Sequence, residues 1–343
     1  MDAGLDRSTL VIAAPILGGL AALVCALGIR ALHPLLVRYA LARPNARSSH
    51  TTPTPQGAGL AVVGAVVGLG LIAAAVLGLP LDTLLVLFGA GLLLAAVGAV
   101  DDIRPLPALP RLAGQILAVG AVVGMLPEEA RIVPELPALI ERALLVLAGV
   151  WFVNLTNFMD GLDWMTVSQF VPLTAAIVLF GVLAGTVDAA TTIVAALLCG
   201  ALIGFAPFNR PVAAVFLGDV GSLPIGLFAG WCLLQLAASG ALAAAILLPL
   251  YYLADATLTL FLRLSRGERV WEAHRSHFYQ RATANDLSVS AITNVVFALN
   301  VVLAVLAALT LAVPVPPFQA GLVGVGALAV AAVLRLFATG LPK

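Results

Sequence analysis

Long apolar runs alternate with short polar connections along this chain. Many reach the roughly 20 residues that cross a bilayer core. Eleven runs stand out, at 10–32, 58–79, 82–100, 112–126, 139–156, 165–186, 189–207, 223–239, 241–262, 289–312 and 319–338. Each predicts a helix, because a backbone in lipid must satisfy its polar groups within its own segment. The fourth is short and flanked by prolines, and a polar connection rich in Gly and Asn separates the seventh from the eighth. The expected fold is all-α: one polytopic integral membrane domain over 1–343 with about 11 transmembrane helices.

Composition agrees. Hydrophobic residues make up 62% of the chain and charged residues 10%, a balance that excludes a soluble globular domain. The formal net charge is zero, so no basic field draws nucleic acid. Cys25, Cys199 and Cys232 lie inside apolar runs at no metal-binding or disulfide spacing. The start, "MDAGLDRST", is net acidic and its apolar run is too long for a signal-peptide core, so it reads as a retained first span.

Charge sets the expected orientation. One alternate set of connections holds Arg38, Arg43, Arg47, Arg104, Arg111, Arg210, Arg263, Arg266, Arg269, Arg275, Arg281, Arg335 and Lys343, with Arg30 at its edge. The other holds only Arg7, Arg131 and Arg142. The basic side is cytoplasmic by the positive-inside rule, which puts the N-terminus outside and the C-terminus inside. All four histidines fall on that side.

Five cytoplasmic segments, about 33–57, 101–111, 157–164, 208–222 and 263–288, carry polar chemistry and are expected to form one active site. The first offers Arg47 and His50, which as a plain basic loop would touch anionic lipid heads. In "GAVDDIRPLP", Asp101 and Asp102 close an apolar run at a helix end that is already negative. Two carboxylates so placed call for a cation, and hard oxygen ligands suit Mg²⁺. In "NLTNFMDGLDWM", Asn154, Asn157 and Asp160 recur every three residues and Asp163 follows; such groups at a span's end are costly to desolvate. "FNRPVAAVFLGDVGSLPIG" supplies Asn209, Phe216 as a stacking face or core residue, and Asp219 between glycines that admit a phosphate. The last segment holds His274, Arg275 and His277; it lacks a Cys or third His for zinc and fits phosphate recognition better. Together these suit phosphoryl transfer at the headgroup level of a membrane.

The order of "DD", "NxxNxxDGxD", "FxGDxGS" and the "HxxH" loop resembles the polyprenyl-phosphate N-acetylhexosamine-1-phosphate transferases. That family includes the phospho-MurNAc-pentapeptide translocases and the O-antigen-initiating enzymes, and "AHRSHFYQR" is most similar to the latter branch. The resemblance implies that a UDP-linked N-acetylhexosamine, or a deoxy derivative, gives its sugar-1-phosphate to polyprenyl phosphate. UMP is released, and a lipopolysaccharide or other cell-envelope polymer is begun at the cytoplasmic face of a bacterial inner membrane. It implies Mg²⁺, with Mn²⁺ as the alternative, and leaves a homodimer open. By the same resemblance Asp219 is the metal ligand, joined by Asp101 and Asp102 beside the phosphates. Asn157, Asp160 and Asp163 approach the nucleotide, Phe216 stacks on uracil, and His277 with His274 contacts diphosphate or sugar. Departures exist: many relatives carry "GG" where this chain has "GAG" at 57–59, and several carry Lys where Arg47 or Gln56 stands. The second "DG" of the translocases is Asp163–Trp164 here, which argues against a muramyl-pentapeptide.

The rival expectation is a secondary transporter, which would place ionisable groups near the midplane. The spans are almost free of charge except for Asp255, which reads as a buried acid paired within the bundle.

Overall fold

The computed structural model describes residues 5–42, 53–269 and 274–340. Its helices are α1 (Arg7–Tyr39), α2 (Gly59–Leu77), α3 (Leu81–Ile103), α4 (Ala108–Gly124), α5 (Ala138–Phe158) and α6 (Met165–Leu179). There follow a π-helical turn, Phe180–Ala184, and then α7 (Ala189–Phe205), α8 (Asp219–Ala238), α9 (Leu242–Leu247) and α10 (Leu250–Ser265). The short α11 (Phe278–Ala284) precedes α12 (Val289–Ala312) and α13 (Pro316–Thr339). Two-residue strands β1 (Leu41–Ala42) and β2 (Thr54–Pro55) pair antiparallel between α1 and α2.

Every apolar run of the sequence coincides with a helix. Among the described residues, eight helices are long and apolar enough to cross a membrane, and α4 and α7 are shorter apolar helices. The run at 241–262 is the one that is divided. Proline cannot donate the N–H that would continue the helix, and it disfavours helical conformation in the residue before it. The chain therefore breaks between α9 and α10 at Leu248–Pro249, and the Leu248 carbonyl takes a hydrogen bond from Gln169 Nε2 at 3.1 Å.

Helix α8 is the hub, packed against α2, α3, α5, α7 and α9. Its N-terminal turn can enter this crowd because glycines face it. A Cβ on Gly59 would overlap the backbone of Gly221, and a Cβ on Gly98 would overlap the carbonyl of Asp219. Close backbone approach through small residues is how helices associate where no water drives them together.

At the end of the bundle away from Asp219, the three minority arginines are consumed locally. Arg7 Nε donates to Val182 O at 2.9 Å. Arg142 donates to Val123 O and Leu126 O, each at 2.8 Å, closing the end of α4. Arg131 pairs with the buried Glu141, which also accepts the backbone N–H of Ile132 and Val133 at 2.7 and 2.8 Å. Unpaired carbonyls at helix ends need such donors.

Candidate active site

The residues singled out in the sequence converge where the C-terminal ends of α3 and α5 meet the N-terminal end of α8. Asp219 opens α8, half-buried. Asn157, in the last turn of α5, donates through Nδ2 to Asp219 Oδ1 at 2.7 Å and to Ser222 Oγ at 2.9 Å. One amide thus fixes the rotamer of Asp219 and ties α5 to α8.

Asp102 is held differently from the sequence expectation. Its Oδ1 accepts the backbone N–H of Asp219 at 2.9 Å and Gln56 Nε2 at 2.5 Å; its Oδ2 accepts the N–H of Val220 at 3.1 Å. Both oxygens thereby bond the first turn of another helix. Asp101 is bound to its own connection: Oδ1 accepts Leu106 N–H at 2.5 Å, and Oδ2 pairs with Arg111 Nη1 at 2.9 Å. Its carboxyl also lies within hydrogen-bonding reach of Asp219.

The connection after α5 carries Asp160 and Asp163. Asp160 Oδ1 is bonded by the Thr166 hydroxyl. Burial pushes the Asp160 carboxyl up to about 7, with the charges of Asp102 and Asp163 adding to the shift and Thr166 opposing it. Asp163 is buried and its Oδ2 accepts Ala213 N–H at 3.0 Å, which braces this connection against 206–218. Asn209, also buried, does the same in reverse, accepting Trp164 N–H at 2.7 Å and donating to Val215 O at 3.1 Å. Trp164 itself sits at φ 63°, in the left-handed region where glycine is favoured. This explains why a glycine fits that position in the translocase pattern. Here the indole offsets the cost by donating Nε1–H to Ala206 O at 2.6 Å.

Phe216 is locked by its backbone. Its N–H donates to Pro55 O at 2.8 Å, and its carbonyl accepts from Gly57 and Ala58, both at 3.0 Å. Its half-buried ring joins Gln56, Asn157, Asp160, Asp163, Asn209 and Asp219 around a polar cavity of about 180 Å³.

A second cavity of about 480 Å³ adjoins it, with Asn157 in both walls. Its lining is mixed: Arg111, Asn154, His274, His277 and Gln280 are polar, and Leu112, Leu147, Val150, Trp151 and Leu260 are apolar. Asn154 is paired across to Gln115 of α4, donating to Oε1 at 2.6 Å. His274 and His277 stack with ring centroids 4.8 Å apart. Arg275 is exposed beside them, while Arg47 and His50 lie outside the described residues. The chain's one midspan acid, Asp255, is fully buried and contacts His277 Nδ1 at 3.3 Å.

Gln56, Arg111, Gln115, Asp255 and Gln280 also stand at the site, beyond the residues expected from sequence. Gln56 and Asp255 carried a signal, one as a departure from the family pattern and the other as a lone charge in a span. Gln115, a lone amide inside an apolar run, carried a weaker one.

Residues 84–237, which carry Asp101 through Asp219, match Glycosyl transferase family 4. The segment belongs to that family. A decaprenyl-phosphate N-acetylglucosaminephosphotransferase of Mycobacterium tuberculosis (strain ATCC 25618 / H37Rv) is 34% identical over 209 residues, 55% of this chain and 51% of the relative. Its counterpart in Mycolicibacterium smegmatis is 33% identical over 221 residues, 57% of this chain and 53% of the relative. A phospho-N-acetylmuramoyl-pentapeptide-transferase of Limosilactobacillus fermentum is 36% identical over 77 residues, covering 22% of this chain and 24% of the relative. The chain spans about half the length of the N-acetylglucosaminephosphotransferases it matches.

Proposed function

We propose that the protein transfers an N-acetylhexosamine-1-phosphate from a UDP-sugar to polyprenyl phosphate, at the cytoplasmic face of a bacterial membrane, and so starts a cell-envelope polysaccharide. The observation that carries this reading is the pair of adjoining cavities that share Asn157. An acid-lined polar cavity suits a metal-bound diphosphate. The neighbouring cavity combines Arg111 and two histidines with apolar side chains, which suits a phosphate attached to a hydrocarbon. The names of the mycobacterial relatives favour N-acetylglucosamine as the sugar.

The donor set fits Mg²⁺. Asp219 and Asp160 line one cavity, each with one oxygen bonded to a neighbouring side chain, and Asp101 stands within reach of Asp219. Among the described residues no three carboxylate, His or Cys side chains already converge on one point. Mg²⁺ commonly takes one or two carboxylates and completes its shell with water and substrate phosphates. A bound ion would neutralise the diphosphate and the leaving UMP.

The protein's own share is positioning and electrostatics. Arg111 orients the attacking lipid phosphate. Asn157 holds Asp219 where the diphosphate arrives. Phe216 offers a ring to the base. A lipid phosphate oxygen bonds to the phosphorus that carries the sugar, the bond to the bridging oxygen breaks, and its electron pair leaves with UMP. The attacking phosphate is already ionised near neutral pH, so no strong base is required.

The test is to incubate purified protein with Mg²⁺, polyprenyl phosphate and a panel of UDP-N-acetylhexosamines, and to measure UMP. UMP release that requires the lipid supports the reading. No release from any donor, with uptake of sugar into vesicles, favours transport instead. Orientation is tested separately by single-cysteine labelling: position 188 should react with an impermeant reagent outside intact cells and position 218 should not.

A further inference from the structure

Asp255 lies in the middle of α10, fully buried, where a charge is expensive unless it is paired. Five donors surround it. Oδ1 faces the backbone N–H of Phe278 at 3.0 Å, His277 Nδ1 at 3.3 Å and the Thr259 hydroxyl at 3.3 Å. Oδ2 faces the backbone N–H of Tyr279 at 3.1 Å and the Tyr251 hydroxyl at 3.2 Å. The two backbone groups can only donate, one to each oxygen, so the carboxyl acts as an acceptor on both sides. An acid this fully engaged is no ion-transport site.

The consequence falls on His277. An accepting carboxylate requires the proton of the imidazole on Nδ1. The ring nitrogen left for a ligand is then Nε2, and His277 lines the cavity shared with Arg111, Asn154 and Asn157. The same carboxylate starts α11, which sets Tyr279. Burial holds the Tyr279 phenol well above its usual range, so it stays an O–H donor, and it reaches Phe158 O at 3.0 Å, one residue from Asn157. Gly161 leaves room for that hydroxyl, which a Cβ there would overlap.

We propose that Asp255 is a positioning residue: it fixes the Nδ1–H form and the orientation of His277 so that Nε2 is presented to the substrate. The role of His277 as a substrate contact rests on the transferase reading, whereas its protonation pattern does not. Asp255 acts through the histidine and through α11, without touching substrate itself.

The first experiment needs no substrate and no variant at Asp255. Long-range ¹H–¹⁵N correlation spectra of the full-length protein in nanodiscs resolve the histidine tautomers. There are only four histidines, so H277Q assigns the signal. His277 should carry its proton on Nδ1. A neutral ring protonated on Nε2 overturns the proposal, whatever the protein catalyses. The second is a double-mutant cycle on lipid-dependent UMP release. D255N should lower turnover about 10- to 100-fold, the usual loss when the partner orienting a functional histidine is removed. D255N in an H277Q background should then add little. Independent, additive losses, or full activity in D255N, overturn it. If the protein releases no UMP from any donor, the transferase reading fails, while the tautomer still decides the role of Asp255.

Discussion

Asp102 Oδ1 accepts the backbone N–H of Asp219 at 2.9 Å, so the first acid of α8 is held by an acid at the end of α3. With Oδ2 on Val220 N–H, the side chain satisfies two of the donors that a helix start leaves open. The negative charge that is unfavourable at its own helix end becomes favourable at the positive end of another. Asp255 repeats the device at α11. In both cases an aspartate from one helix, half-buried Asp102 or fully buried Asp255, starts a second helix that delivers a site residue.

The two acids should therefore respond differently to removal. Asp102→Asn replaces an acceptor by an amide N–H that faces a backbone donor. The expected loss is about 1–3 kcal/mol of stability, as for a buried group left unpaired, seen as a lower melting temperature in detergent. Asp219→Asn should leave melting nearly unchanged, since Asn157 can still bond the remaining carbonyl, yet weaken Mg²⁺ binding and lower turnover on the order of 10²–10³-fold. If Asp219→Asn is the more destabilising of the two, the division of roles between them is wrong.

The shift at Asp160 gives the metal a pH dependence. Below about 7 this carboxyl holds a proton that an ion must displace. Through this group, Mg²⁺ affinity should rise by up to about tenfold per pH unit up to pH 7. Without the ion, the same shift lowers stability as pH rises from the ordinary 3.8 towards about 7, because over that window the folded state keeps a proton the unfolded chain has lost. Calorimetric titration at pH 6, 7 and 8 is the check. Equal affinity at all three would count against it, as would a slope unchanged in Asp160→Asn.

The sequence made the helices legible because lipid leaves a backbone no other partner. All eleven apolar runs recur as helices, and even the break at Pro249 had a visible cause. The chemistry was legible as a set of residues gathered at one face. Their division of labour was not. Whether Asp102 meets a metal or a helix start depends on which end lies beside it, and its partner Asp219 is 117 positions away. Asp163 and Asn209 look like substrate-binding residues in sequence. Each also braces one connection against the other through backbone bonds that no spacing shows.

Gly98 should be intolerant of a methyl group. A Cβ there meets the Asp219 carbonyl, which is rigid backbone, so α3 and α8 must separate and carry the acid with them. Gly98→Ala should cost at least tenfold in turnover, given how steeply rate falls with small displacements of a catalytic group. Gly89→Ala and Gly120→Ala, whose Cβ atoms meet nothing within 4 Å, should be neutral or slightly stabilising. Equal turnover in all three variants would mean that close packing at α8 does not set the site.

Arg111 should separate the two substrates. It is about one-third exposed and, among the described residues, pairs with Asp101 at 2.9 Å. An ion pair of that exposure contributes on the order of 0–1 kcal/mol, so the guanidinium gives it up readily for a phosphate. It lines the cavity with the mixed polar and apolar lining and does not line the one that holds Asp219. Arg111→Gln should therefore leave the melting temperature nearly unchanged and raise KM for polyprenyl phosphate about tenfold, the value of roughly 1.4 kcal/mol for one charge-assisted contact. KM for the UDP-sugar should stay within about twofold, because that substrate is assigned to the other cavity. Steady-state kinetics with each substrate varied in turn decides the matter. A rise confined to the UDP-sugar KM would exchange the two cavities and place the nucleotide beside the histidines.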